Sequence, residues 1–122
     1  MNFFNKGLKA ERFASGFLKK KGYKILETNF SSKFGEIDII AKESDILCFI
    51  EVKYRKNRDF GLPEEFVDLR KQKKIIKTAL YYLFVKNQDN INIRFDIVAV
   101  EKDLKGNFKA RLIRNGFEAD IE

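Results

Sequence analysis

Two short apolar runs each carry a carboxylate where a hydrophobe is expected: Glu36-Ile37-Asp38-Ile39-Ile40-Ala41 and Ile46-Leu47-Cys48-Phe49-Ile50-Glu51-Val52-Lys53-Tyr54. Both read as strands, bounded by Ser31-Ser32-Lys33-Phe34-Gly35, Glu43-Ser44-Asp45 and a charged segment after Tyr54. Side chains alternate along a strand, so Glu36, Asp38 and Ile40 share one face and Ile37, Ile39 and Ala41 the other. In the second run Leu47, Phe49, Glu51, Lys53 and Arg55 share a face, with Glu51 and Lys53 about 6 to 7 Å apart. A hairpin joins the runs. Any register whose paired numbers sum to an odd value, as a two- or four-residue loop gives, sets Asp38 and Glu51 on one face. A three-residue loop with simple pairing separates them unless a bulge intervenes.

Two carboxylates held this close on semi-apolar strands repel, and one takes up a proton unless a cation neutralises them. The chain has no His and a single cysteine, Cys48, so zinc chemistry is close to excluded and any metal must be held by oxygen. Cys48 reads as a buried, inert thiol. Mg²⁺ (or Mn²⁺) takes one or two carboxylates together with water and phosphate oxygens, which suits Asp38 and Glu51 with the Val52 backbone carbonyl as a third ligand. Such an ion acidifies water for attack on phosphorus. Lys53 then orients that water or offsets the added negative charge.

Elsewhere the pattern predicts a helix from a cap at Asn5 to about Lys21, stopped by Gly22, with the apolar stripe Phe4, Leu8, Ala14 and Leu18. Glu11 lies on that stripe, aimed inward. A strand over 23–30 precedes the two described. A second helix is expected from Asp68 to about Lys86, with Leu69, Ile76, Leu80 and Leu83 on the sheet, Gln72 interrupting the stripe, and Arg70, Lys71, Lys74 and Lys77 forming a basic outer face. Strands over 91–101 and 108–114 follow the irregular segment 55–67 and this helix. The order α-β-β-β-α-β-β describes an α/β or α+β chain, a mixed central β-sheet flanked by helices, with residues 1–122 as one domain.

Charge placement points to a polyanion. Of the formal net charge of +7, residues 53 to 77 hold +5, from nine Lys/Arg against Asp59, Glu64, Glu65 and Asp68. Arg55, Lys56, Arg70, Lys71, Lys74 and Lys77 are the nucleic-acid contacts this suggests. No apolar run approaches the roughly 18 residues that span a bilayer, so no membrane is expected as a partner and a cytoplasmic protein is. The bland alternative pairs Glu51 with Lys53, Asp38 with Arg94 and Glu11 with a surface lysine, each an ordinary ion pair. Against it stands the combination of Glu11, Asp38, Glu51 and Lys53 on core-facing positions of three elements beside a basic segment.

The residues Gly7-x-x-x-Glu11, Gly35-Glu36-Ile37-Asp38, Glu51-Val52-Lys53-Tyr54-Arg55, Gly61, Lys71 and Arg94-Phe95-Asp96 together resemble the bacterial YraN family over nearly the whole chain. That family is similar to archaeal Holliday-junction resolvases and to PD-(D/E)XK nucleases of the restriction-endonuclease-like fold. The resemblance implies a restriction-endonuclease-like core, metal held by Asp38 and Glu51, a catalytic Lys53 and a supporting acid at Glu11. An acid followed two residues later by lysine is common by chance; the ordered set is rare. Ile37 stands where a proline often precedes the metal-binding Asp. Gln72 is followed by Ile76 where some relatives have Gln and then Tyr, so Gln72 reads as a satisfied helix residue beside the site. Glu36 is either a metal-linked acid or simply solvated, the latter favoured, and Arg94 with Asp96 reads as an internal ion pair. The implied activity is metal-dependent endonucleolytic hydrolysis of DNA, branched or damaged DNA in repair or recombination included. The rivals are a non-catalytic nucleic-acid-binding module on the same fold and a nuclease acting on RNA. Related resolvases act as symmetric dimers, so a homodimer through a strand edge or helix is a further expectation.

Overall fold

The structure is a computed structural model that describes residues 3–55 and 67–119, and of residues 3–6 the backbone only. Lys56, Gly61 and Pro63, and with them most of the segment expected to be irregular, lie outside the described residues. The elements are α1 (Phe3–Lys20), β1 (Lys24–Ser32), β2 (Gly35–Glu43), β3 (Ile46–Arg55), α2 (Leu69–Val85), β4 (Asn92–Lys102) and β5 (Phe108–Phe117). They follow the expected order. The strands form one sheet in sequential order, antiparallel throughout except for β3 and β4, which α2 joins as a parallel crossover. Among the described residues no helix is long and apolar enough to cross a membrane.

The helices cover opposite faces. On one, Ala10, Ala14 and Leu18 of α1 pack with Tyr23, Ile39, Cys48, Ile50, Val98 and Val100. On the other, Ile75, Ala79 and Tyr82 of α2 pack with Ile37, Ile40, Leu47, Phe49, Phe95 and Ile97.

Both helices are rotated from the expected phase. Helix α1 starts at Phe3, so Asn5 lies inside it rather than at the cap position expected, and it ends at Lys20, after which Gly22 takes a φ of 96° and its N–H reaches the Lys19 carbonyl. Its contact line is Ala10, Ala14 and Leu18, small residues that let the helix lie close to the sheet, whereas Leu8 is 45% exposed. Glu11 therefore sits on the flank of the contact line, half-buried.

In α2 the buried residues are Ile75, Thr78, Ala79 and Tyr82, while Leu69, expected inside, is 71% exposed and Leu80 is exposed too. Thr78 Oγ1 donates to the Lys74 carbonyl at 2.8 Å, which satisfies its hydroxyl and lets a polar residue serve as core. A count of apolar residues misses that. Asp68 is the N-cap, accepting from the Lys71 amide at 2.8 Å.

The sheet splits near its centre. The hairpin between β2 and β3 uses the two residues Ser44 and Asp45, with Ser44 at a φ of 54°, and its pairs sum to an odd number from Glu43↔Ile46 to Ile39↔Ile50. There pairing stops. Residues 35–37 of β2 stay with β1, and residues 51–55 of β3 stay with β4. Strand alternation breaks with it: Ile37, expected beside Ile39 and Ala41, joins the α2-side core instead. Asp38 and Glu51 stand at the crotch of this fork.

A second buried acid fixes the opposite end of the α1 face. Asp96 is 0% exposed and accepts four hydrogen bonds: Arg94 Nε at 2.7 Å, Arg94 Nη2 at 2.9 Å, the Tyr23 hydroxyl at 2.9 Å and the Asn115 amide at 2.9 Å. Arg94 also donates to Glu43 at 2.6 Å, so it pairs with Asp96 and Glu43 and the ion pair with Asp38 is not formed. Glu43 accepts as well from Arg114 Nε at 2.9 Å. Because Tyr23 directly follows α1, this network ties that helix, and Glu11 with it, to β4 and β5.

Arg114 above all, and Arg94 with it, outweigh burial and hold the Glu43 carboxyl down at about 2, from an ordinary 4.5. A depressed carboxylate stabilises the fold above its unfolded pKa and loses that contribution as pH falls through the folded one. Denaturation of Glu43→Gln against the parent should therefore show a deficit at pH 7 that shrinks between about pH 4.5 and pH 2. A deficit independent of pH would show that the charge of Glu43 is not what counts.

Candidate functional site

Asp38 takes over where the β2–β3 ladder ends. Its Oδ2 accepts from the Val52 amide at 2.8 Å, so a carboxylate occupies a position that a strand carbonyl would otherwise fill. Glu51, the residue before Val52, is 4% exposed. Its Oε2 lies 3.3 Å from Lys71 Nζ, reaching in from the first turn of α2. Among the described residues its buried Oε1 accepts no hydrogen bond. An orphaned carboxylate oxygen in an apolar setting is costly unless some further group meets it.

Glu11 approaches from the α1 side, against Asp38. Asn29, at a φ of 52° in β1, lies over it; with its amide nitrogen turned toward the acids it donates to Glu11 at 3.1 and 3.3 Å and to Glu36 at 2.9 Å. The fork is thus reached from both faces of the sheet: Glu11 and Asn29 from one, Lys71 from the other, with Asp38 between. Beyond Glu11 and Asn29 a surface cleft of about 410 Å³ runs along α1 past Arg12 and Lys19.

Crowded acids resist ionising together. Burial first, then the charge and hydrogen bond of Asp38, push the Glu51 carboxyl up to about 8, with Lys71 opposing in part. Burial, then Asp38 and Glu36, raise Glu11 to about 7, Asn29 opposing. Burial alone would lower the Lys71 ammonium, but the charges of Glu51, Asp38 and Glu36 raise it instead. Among the described residues no three His, Cys, Asp or Glu side chains gather as a ready-made metal cage. The donor set is a carboxylate pair with one free buried oxygen, which suits a hard cation that keeps several waters.

The structure therefore brings Glu11, Asp38 and Glu51 together and adds Glu36 at the exposed rim through Asn29. Lys53 stands two residues beyond Glu51, half-buried, in register with Ala99 of β4. Val52 enters through its N–H, bonded to Asp38. Lys71, expected on the outer basic face, is exposed there but carries its Nζ to Glu51. Arg70, Lys74 and Lys77 are exposed as expected, Arg55 is half-buried with Nη1 donating to the Tyr54 carbonyl at 3.3 Å, and Lys56 lies outside the described residues. Gln72 donates to the Val67 carbonyl at 2.9 Å, a local bond closing the start of α2. Asn29 was not anticipated; only its left-handed backbone, which asparagine tolerates, hints at it. Cys48 is inert, its thiol pushed up to about 12 by burial and then by Asp96.

The raised acids give a pH signature without divalent ions. A carboxyl with a raised folded pKa favours the fold below its unfolded value and loses that contribution as pH climbs through the folded one. Metal-free protein should lose melting temperature as pH rises from about 4.5 through about 8, and Glu51→Gln should flatten that decline. Calorimetric melts in EDTA across this range check it, and an unflattened curve in the variant would remove Glu51 as the source.

Residues 10–100 match the family model described as "Uncharacterised protein family UPF0102". A UPF0102 protein of Lachnoclostridium phytofermentans is 42% identical over 120 residues, covering 98% of each chain. One of Syntrophus aciditrophicus is 44% identical over 112 residues, 92% of this chain and 87% of its own. One of Clostridioides difficile is 50% identical over 100 residues, 82% of this chain and 88% of its own. The matched span contains Glu11, Asn29, Asp38, Glu51, Lys53 and Lys71.

Proposed function

The chain belongs to the uncharacterised family UPF0102, and on that footing we propose that it is a divalent-metal-dependent endonuclease that hydrolyses phosphodiester bonds in DNA. The observation that carries this reading is the Glu51 Oε1, buried beside Asp38 at the fork of the sheet and accepting no hydrogen bond from the described residues. Evolutionary neutrality is a poor account of such an atom, because a buried carboxylate oxygen without a partner costs stability and a glutamine or leucine would relieve it.

Asp38 and Glu51 would hold the cation, Mg²⁺ or Mn²⁺, with the Val52 carbonyl as a further donor. When bound, that ion supplies an acidified water and stabilises the charge that builds on the phosphoryl oxygens. The chain's own residues do the rest. The Asp38–Val52 hydrogen bond fixes one carboxylate, so its second oxygen is preorganised. Glu11, steadied by Asn29, orders solvent on the α1 side and is placed to accept a proton there. Lys53, on the Glu51 strand, orients the attacking water. Arg70, Lys74 and Lys77 on the exposed side of α2, with Arg55 at the end of β3 and Lys56 next in sequence, engage the phosphate backbone and position it without reading sequence.

The test is a panel of linear, flapped and four-way DNA, with labelled RNA alongside, incubated with Mg²⁺, Mn²⁺ or EDTA. Asp38→Asn and Glu51→Gln should each lower cleavage by roughly a hundredfold or more while DNA binding persists. Lys74 and Lys77 replaced together should weaken binding and reduce its salt dependence. Undiminished cleavage in Asp38→Asn and Lys53→Ala would end the catalytic assignment. Binding without cleavage by the parent protein would favour a non-catalytic module.

A further inference from the structure

Among the described residues, Lys71 of the crossover helix reaches Glu51 of the acid pair. Its backbone is anchored, because its amide is the donor to the Asp68 cap at 2.8 Å. Four rotatable bonds carry its Nζ to 3.3 Å from Glu51 Oε2, and the side chain is 45% exposed. It is fixed at one end and open to solvent along its length. Glu51, by contrast, is buried, and its other oxygen accepts no hydrogen bond from the described residues.

The geometry points to Lys71 as a resident counter-ion that a divalent metal displaces: a positioning residue that holds Glu51 while the site is empty of metal and swings outward when a cation arrives. This rests on the metal-dependent reading above. A divalent ion at the free Glu51 oxygen and Asp38 would face an ammonium on the same carboxylate, and two cations sharing one small acidic site repel. Withdrawal is easy for a lysine with solvent access. Outward, Lys71 joins Arg70 and Lys74 on the exposed edge of α2, where a phosphate backbone passing the fork would meet it. Metal binding and phosphate binding would then favour each other, each rewarding the same lysine position, and that coupling must be reciprocal.

Mn²⁺ alone, titrated calorimetrically into the full chain, tests this without reference to cleavage. Lys71→Met should bind Mn²⁺ roughly fivefold or more tightly than the parent, since the competing charge is gone. Lys71→Arg should restore the parent affinity. Metal-free Lys71→Met should also melt below the parent and recover more of its stability when Mn²⁺ is added. Lys71→Gln serves as a second neutral variant should Lys71→Met fold poorly. Neutral variants that bind Mn²⁺ as the parent does, or more weakly, overturn the displaced counter-ion while leaving the metal site standing. A parent protein with no saturable Mn²⁺ binding, or with binding that Glu51→Gln leaves intact, overturns both readings.

Discussion

The hydrogen bond from the Val52 amide to Asp38 Oδ2 governs the arrangement around it. It stands where backbone pairing between β2 and β3 runs out, and it replaces a ladder bond with a side-chain bond to a charged acceptor, which is stronger than a neutral one. Because it holds, β2 can leave β3 and follow β1 without abandoning a buried N–H. The opening so created admits side chains from both helices, though they pack on opposite faces of the sheet. Without the fork, Glu11 and Glu51 would be separated by a continuous layer of strand.

Two buried acids in one small protein show two electrostatic solutions. Asp96 is enclosed and saturated, both oxygens taken by an arginine, a tyrosine and a backbone amide. Such a group is bound up entirely with internal structure. Glu51 is nearly as enclosed, yet it has a half-exposed lysine on one oxygen, and the other accepts no hydrogen bond from the described residues. Burial is alike in the two cases; satisfaction is what differs. That contrast, more than charge count or pocket size, is what makes Glu51 the carboxylate proposed to take a ligand.

Much of this was legible in the residues. Carboxylates inside apolar strand runs located Asp38 and Glu51, and a two-residue hairpin fixed their register, because strand periodicity is a hard constraint. Element order followed from turn residues and spacing. Helix phase was less legible. Apolar counting chose Leu8, Leu69 and Leu80 for the interior, while the folded chain prefers Ala10 for close approach, Thr78 with its hydroxyl satisfied and Tyr82 for its ring. That error set Glu11 on the central stripe and hid the reach of the exposed Lys71 to Glu51. The change of face at Ile37 was equally hidden, since it depends on a tertiary hydrogen bond made fourteen residues away in sequence. Asn29 left no trace beyond its tolerance of a left-handed backbone.

The sequential strand order has a consequence for how the chain reaches this state. Glu11, Asp38 and Glu51 all lie on α1 and the β1–β2–β3 meander, whose pairings close short loops, whereas Lys71 arrives with the crossover that sets β4 parallel to β3. Short loops close at lower entropic cost and ahead of parallel pairings. During folding, and during synthesis from the amino end, the acids therefore meet before the ammonium that relieves them. In that interval the Lys71 charge is absent and protons or cations from the surrounding solution weigh more heavily on their repulsion, so the ionic medium bears on the assembly of the fold itself.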